Sequence, residues 1–230
     1  MLQSRVFHLA DGEVFLIRKP KGWTSFDVVA RMRSILHFEK IGHAGSLDPL
    51  ATGLMIVCTG KMTKEIERFV GLEKEYAATI RLGGRTPSYD SETEIIAYRT
   101  VDDVTEGRVL SVLAEFVGHQ VQIPPMWSAV KVGGKPLYKY ARKGRVVERK
   151  PREVLISSIT PLDINIPDVT FNIVCSKGTY IRTLADDIGQ RLECGAYLIA
   201  LERRRIGEFR IEDAFSLEDF TGYSQPSRNP

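Results

Sequence analysis

Paired cysteines are missing from this chain: Cys58, Cys175 and Cys194 stand alone among 230 residues, with no CxxC spacing. An odd set of isolated thiols makes a poor disulfide framework, so a reducing, cytoplasmic setting is expected. The paired-cysteine zinc sites are excluded with it. His8, His37, His43 and His119 lie far apart and no HExxH occurs, so no metal site is expected. There is no GxxxxGK[ST] phosphate loop and no GxSxG nucleophile turn. No cofactor is therefore expected. No apolar run approaches the ~20 residues that span a bilayer. The opening stretch MLQSRVFHLADGEVFLIRKP has no continuous apolar core of the signal-peptide kind. No membrane partner is expected.

Charge is present but uneven. The formal net charge is only +3. Between Lys131 and Glu153, however, Lys131, Lys135, Lys139, Arg142, Lys143, Arg145, Arg149, Lys150 and Arg152 face only Glu148 and Glu153. Arg203, Arg204 and Arg205 form a second cluster. Such runs suit a polyanion, because each neutralised phosphate releases counterions; a solvated face is the alternative. Tyr138 and Tyr140 interleave with the first run, and aromatic faces stack on bases, which favours nucleic acid.

The pattern of elements is mixed. Residues 13–18 read as a strand and KPKGWTS as a turn. Thr24 or Ser25 is placed to cap a helix with Val28, Val29, Met32, Ile35 and Leu36 at helical spacing. LMIVC reads as a buried strand and residues 61–70 as a short helix. Strands are expected over 76–82, 93–98, 127–132, 169–176 and 197–201. Helices are expected over 105–117, over the basic LYKYARKG, and over YIRTLADDIGQRL with Ile181, Leu184, Ile188 and Leu192 inward. This order has no βαβ rhythm, which favours an α+β fold with a mixed, largely antiparallel central sheet flanked by helices. No repeats or low-complexity linkers interrupt it. One catalytic domain over 1–222 and a loose tail over 223–230 are expected.

Two stretches carry candidate chemistry. KIGHAGSLDPLATGLMIV (residues 40–57) sets Asp48 among glycines, where the backbone can approach a ligand closely. Pro49 biases Asp48 towards extended geometry. Such an aspartate is a nucleophile, a general base, or a turn former bonded to its own backbone. In CSKGTYIRTLADDIG, Arg182 falls in the first helical turn, where a cation opposes the helix dipole. It either reaches solvent or meets an outside partner, for which an ionised carboxylate such as Asp48 is suited.

These stretches together resemble one family. GHAGSLDPLATGLMIVCTGKMTK is similar to the signature loop of the bacterial tRNA pseudouridine synthases of the TruB type. KPKGWTS, KEYAATIRLGGRTPSYD, QIPPMWSAVKVGGKPLYKYARKG, CSKGTYIRTLADDIG and CGAYLIALERR resemble that family's further blocks, so the resemblance covers roughly residues 13–220. It implies the pseudouridine synthase fold and isomerisation of uridine 55 in the tRNA T-loop. It implies Asp48 as catalytic aspartate, Arg182 as its partner and Tyr76 as the tyrosine against the target base. Tyr180 and Leu201 would line the uracil pocket and His43 would contact the T-loop. Lys19, Lys64, Lys139, Arg142 and Lys143 are the candidates for RNA contact, although Lys19 and Pro20 also suit support of the Asp48 loop. Asp90 lies in a matching block. The expected partner is the tRNA T-arm, with no obligatory protein partner and a monomeric state. Ala44 departs from the usual threonine and Trp127 from the usual tyrosine. The C-terminal RNA-binding domain that the family often carries is expected to be absent.

Overall fold

The computed structural model describes residues 6–220 and 223. Most of the expected tail over 223–230 lies outside the described residues. The chain forms two compact units, residues 1–75 with 202–230, and residues 76–201.

In the first unit, β1 (Val14–Lys19) pairs antiparallel with β3 (Thr52–Thr59). β3 is the apolar run read from the sequence, and Leu54, Met55, Ile56, Val57 and Cys58 are all fully buried. A strand covered on both faces reads as a continuous hydrophobic stretch. Between them, α1 (Ser25–Leu36) buries Val28, Val29, Met32 and Leu36 along one face. Thr24 is its N-cap, in a capping box with Asp27, and Ser25 is left for other work. β2 (Ile41–His43) pairs antiparallel with the end of β3, His43 opposite Val57. The loop between β2 and β3 contains Asp48. Residues 60–65 form a 3-10 turn leading into α2 (Ile66–Gly71).

In the second unit, β4 (Lys74–Leu82) lies beside β11 (Asp168–Cys175), followed by β10 (Arg152–Asn165) and β7 (Gly118–Gln122). β10 pairs antiparallel with both β11 and β7. Alternate residues of β11, Val169, Phe171, Ile173 and Cys175, are buried. Burial of alternate residues is the mark of a strand with one face packed; α3 (Glu106–Glu115) lies against β10 and against α5 (Ile181–Arg191). β5 (Gly84–Arg85) pairs with β6 (Ala97–Tyr98), and β8 (Lys131–Val132) pairs with β9 (Lys135–Pro136). α4 (Leu137–Ala141) follows directly. β12 (Ala196–Ile206) begins in this unit and ends in the first, where it pairs in parallel with β3 and antiparallel with β13 (Phe209–Arg210). The expected α+β class with a mixed, largely antiparallel sheet is what the pairings give.

Several element boundaries differ from the expectation. The strand expected over 93–98 shrinks to Ala97–Tyr98, with Ile96 and Tyr98 exposed. The strand expected over 127–132 shrinks to Lys131–Val132. β10, with 14 residues the longest strand among the described residues, had no counterpart among the expected elements. All three cysteines are free and buried, and burial pushes the Cys58 thiol up to about 11.

Candidate active site

The Asp48 loop is held at both ends and on both sides of the aspartate. Leu47 is fastened by one side chain: its N–H donates to Ser25 Oγ at 2.8 Å, and that hydroxyl donates back to its carbonyl at 3.2 Å. The Pro49 carbonyl accepts from Gly22 N–H at 2.8 Å. Lys19 Nζ reaches the carbonyls of Trp23 (2.5 Å), Pro20 (3.0 Å) and Pro49 (3.5 Å). The Asp48 carbonyl closes the turn by accepting from Ala51 N–H at 3.0 Å. KPKGWTS is therefore a frame for the loop.

Arg203 holds the loop's ends. Its Nε donates to the Leu54 carbonyl at 2.7 Å and its Nη2 to the Gly45 carbonyl at 3.1 Å. Here β12 and β3 run in parallel, Arg203 opposite Gly53. Gly53 sits at φ +107°, and an added Cβ would stand 2.3 Å from the Arg203 carbonyl oxygen. No other residue fits so close an approach.

Two expectations about charge are corrected here. Lys19 is 1% exposed and its ammonium is spent on backbone carbonyls, so it supports the loop and does not face a phosphate. The cluster Arg203 to Arg205 is no open basic patch. Arg203 is buried, Arg204 pairs with Glu202 at 3.1 Å, and Arg205 bridges Glu73 and Glu75 at 3.0 Å each. His43 ends β2 half-buried, and burial together with the Arg203 charge lowers its pKa, so it enters neutral pH as an uncharged imidazole. Lys64 is exposed on the 3-10 turn.

In the second unit, Arg182 occupies the first turn of α5 and is buried. Its Nη1 donates to the Ser88 carbonyl at 3.1 Å and its Nη2 to the Trp127 carbonyl at 2.9 Å. The carboxylate found beside it in this unit is Asp90, 3.5 Å away and fully buried. Asp90 Oδ1 accepts from Ser88 Oγ at 2.5 Å and from Glu92 N–H at 3.0 Å. Thr86 Oγ1 donates to the Asp90 carbonyl at 2.7 Å. The cation that opposes the helix dipole is thus compensated by a buried, hydrogen-bonded anion.

Tyr180 is the N-cap residue of α5. Gln122, at the end of β7, grips its backbone twice: Gln122 Oε1 accepts from Tyr180 N–H at 3.0 Å, and Nε2 donates to the Tyr180 carbonyl at 3.3 Å. That fixes where the tyrosine side chain leaves the chain. Tyr76 and Leu201 are buried members of β4 and β12. Arg85 makes a two-point pair with the buried Asp186, at 2.9 and 3.1 Å. Its neighbour Asp187 is pushed up to about 6 by burial and by the Asp186 charge.

The basic segment is exposed except at Arg149, which is half-buried and donates from Nη1 to the Pro124 carbonyl at 3.1 Å. Lys139, Arg142 and Lys143 all face solvent. The interleaved tyrosines are committed elsewhere. Arg142 lies over the Tyr138 ring, 5.5 Å from its centroid, and the Tyr140 hydroxyl donates to the Val132 carbonyl at 3.2 Å. The Tyr140 bond braces α4 against the β8–β9 hairpin, while the Tyr138 contact stays within α4 and its C-cap.

Sequence reasoning missed Ser25, Arg203 and Gln122 as parts of the site. For Ser25 there was a signal: two capping residues in a row, of which a helix start needs one. For the other two there was none. Among the described residues no helix is long and apolar enough to cross a membrane, and no cluster of three or more potential metal ligands occurs.

Comparison with known proteins adds identity to this geometry. Residues 33–181 match the model of the TruB family pseudouridylate synthase N-terminal domain. Residues 182–228 match that of the tRNA pseudouridylate synthase B C-terminal domain. A tRNA pseudouridine synthase B of Phocaeicola vulgatus is 49% identical over 216 residues, covering 91% of this chain and 92% of the relative. One of Bacteroides fragilis is 50% identical over 216 residues, covering 91% and 93%. Among solved structures, a chain of a Cbf5-Nop10-Gar1 complex superposes with a TM-score of 0.71 at 32% identity, covering 92% of this chain and 54% of that one. The present chain thus spans about half the length of that solved relative.

Proposed function

The chain belongs to the TruB family of pseudouridylate synthases, and from that premise we propose that it converts uridine 55 in the T-loop of tRNA to pseudouridine. In this reaction the bond from uracil N1 to ribose C1′ breaks and a bond from C5 to C1′ forms. C5 loses a proton and N1 gains one, so no atom or electron is added overall. Asp48 supplies the reacting carboxylate, as nucleophile at the sugar or as base. Arg182 is its cationic partner. Tyr76 packs on the uracil, and Tyr180 and Leu201 line the pocket. His43, uncharged at neutral pH, meets the T-loop through hydrogen bonds. The uridine leaves its stack to reach these residues, which is why aromatic and apolar walls suit the task. Lys64, Lys139, Arg142 and Lys143 supply phosphate contacts.

The observation that carries this reading is the loop itself. A half-buried carboxylate on a loop fastened by Ser25, Lys19, Gly22 and Arg203 is preorganised for chemistry. A turn-forming aspartate requires no such frame. A guide-RNA enzyme is the second reading, favoured by the likeness to the Cbf5 complex. The higher identity to relatives described as tRNA pseudouridine synthases, 49% against 32%, supports tRNA.

The test is Asp48→Asn assayed for tritium release from 5-tritiated uridine in a tRNA transcript, with filter binding on the same preparation. Isomerisation is expected to vanish while affinity stays within a few-fold, because phosphate contacts supply most binding. Turnover near wild type would remove Asp48 from the reaction.

A further inference from the structure

A single hydroxyl holds the residue that precedes Asp48. Ser25 Oγ accepts from the Leu47 N–H and donates to the Leu47 carbonyl. A serine hydroxyl has one proton to donate and two lone pairs, so both polar groups of one residue are satisfied by one atom. The residue after Asp48 is held by the same turn, through Gly22 N–H and Lys19 Nζ on the Pro49 carbonyl. The backbone on either side of Asp48 is therefore tied to one short segment, residues 19–25. Rotation of the Leu47 or Pro49 peptide would swing the carboxylate, and these bonds oppose it.

Ser25 is 4% exposed and does not cap its helix, since Thr24 does that. As the first residue of α1 it is carried on a rigid element. The helix is seated by the burial of Val28, Val29, Met32 and Leu36. A loop tied to a packed helix through a single short side chain inherits the position of that helix with little slack. From this geometry we infer that Ser25 is a positioning residue for the reaction: its hydroxyl fixes the Leu47 peptide and thereby aims the Asp48 carboxylate. The inference rests on the reading of Asp48 as the reacting group.

Displacement of a reacting group by about 1 Å costs on the order of 10²-fold in rate. Ser25→Ala removes both hydrogen bonds and leaves almost the same volume. Ser25→Cys keeps a weaker donor and acceptor in the same place. Both are compared with wild type in single turnover on unmodified tRNA transcript with enzyme in excess, alongside filter binding and thermal melting. The expected result is graded. Ser25→Ala slows the single-turnover rate by roughly 10- to 100-fold, Ser25→Cys falls between it and wild type, and tRNA affinity changes less than threefold in both. A role confined to folding would lower the melting temperature and leave the rate of the folded protein unchanged, which overturns the inference. Loss of folding in both variants makes Ser25 a folding determinant and overturns it too. Asp48→Asn in the same series separates the two readings. If Asp48→Asn is inactive and Ser25→Ala runs at full rate, only the positioning role fails. If Asp48→Asn keeps the wild-type rate, the reading of Asp48 fails first.

Discussion

Replacing Asp90 with alanine removes a fully buried anion that lies 3.5 Å from the buried guanidinium of Arg182. Breaking such a pair from one side costs about 3–5 kcal/mol, because a buried charge loses its compensation. The local contacts argue for the lower end. Arg182 keeps the carbonyls of Ser88 and Trp127. Ser88 Oγ keeps a neighbour in Thr93 Oγ1 at 2.7 Å. The Glu92 N–H loses an acceptor, but Glu92 is exposed and water replaces it. About 3 kcal/mol remains, which in a chain of this size lowers the melting temperature by about 6–12 °C. Asp90→Asn keeps an oxygen for Ser88 and Glu92 and loses the charge, so about 2 kcal/mol is expected. Removing both partners, Asp90→Ala with Arg182→Met, is expected to cost less than Asp90→Ala alone, since the buried guanidinium that would be left without Asp90 is removed with it. Urea unfolding of the four proteins measures all three values. An Asp90→Ala cost below about 1 kcal/mol, the scale of an exposed pair, would refute the argument that this pair is electrostatically buried.

The parts of the fold that were legible in the sequence are those whose burial is written in one element. β3 is apolar from Leu54 to Cys58, β11 alternates, α1 buries residues at helical spacing, and the expected Ile181, Leu184 and Ile188 of α5 are buried, together with polar neighbours that the spacing did not mark. β10 was illegible because only Val154 and Ile156 of its 14 residues are buried. Its outer half carries Ser157, Ser158, Thr160, Pro161 and Asp163, with irregular pairing at Ile156/Ser158 and Pro161/Asp163. Such a strand is defined by its neighbours and not by its own pattern. The opposite error came at residues 93–98, where Ile95, Ile96 and Tyr98 have strand-forming side chains but only two residues find a ladder partner. In the candidate site the Asp48 loop was legible because glycines mark close backbone approach. Of what holds it, only Lys19 and Pro20 were legible as support. Ser25 reaches Leu47 across 22 positions and Arg203 reaches Gly45 across 158. Lysine and arginine are residue types that ordinarily face water, so the linear reading placed Arg203 in a basic cluster and counted Lys19 among the RNA candidates beside its alternative role of loop support, when both are buried supports. For Arg182 the sequence left two courses open, solvent or an outside carboxylate such as Asp48; Arg182 is buried, and the carboxylate 3.5 Å from it in its own unit is Asp90, placed there by the 86–93 loop, whose fold no local rule supplies.

Two further outcomes are expected. Neutralising Lys139, Arg142 and Lys143 together is expected to weaken tRNA binding and to reduce the slope of log affinity against log salt by about 0.7 to 0.9 for each phosphate that is no longer neutralised. An unchanged slope would move the RNA to another face. The last concerns Asp187, which burial and the Asp186 charge push up to about 6 from an ordinary 3.8. A raised carboxyl pKa means that between about pH 4 and pH 6 the folded chain holds a proton that the unfolded chain has released. Stability therefore falls as pH rises through that window, and above it the full cost of the half-buried charge is present. Asp187→Asn removes the cost, so the variant is expected to be more stable than wild type at about pH 7.5. Discounted for the partial exposure of the group, the gain is about 1 kcal/mol. Below about pH 4 both side chains are neutral and the gain disappears. Urea midpoints at several pH values across this range measure it, and a difference between the two proteins that stays flat with pH would show that Asp187 titrates in the fold as it does in the unfolded chain.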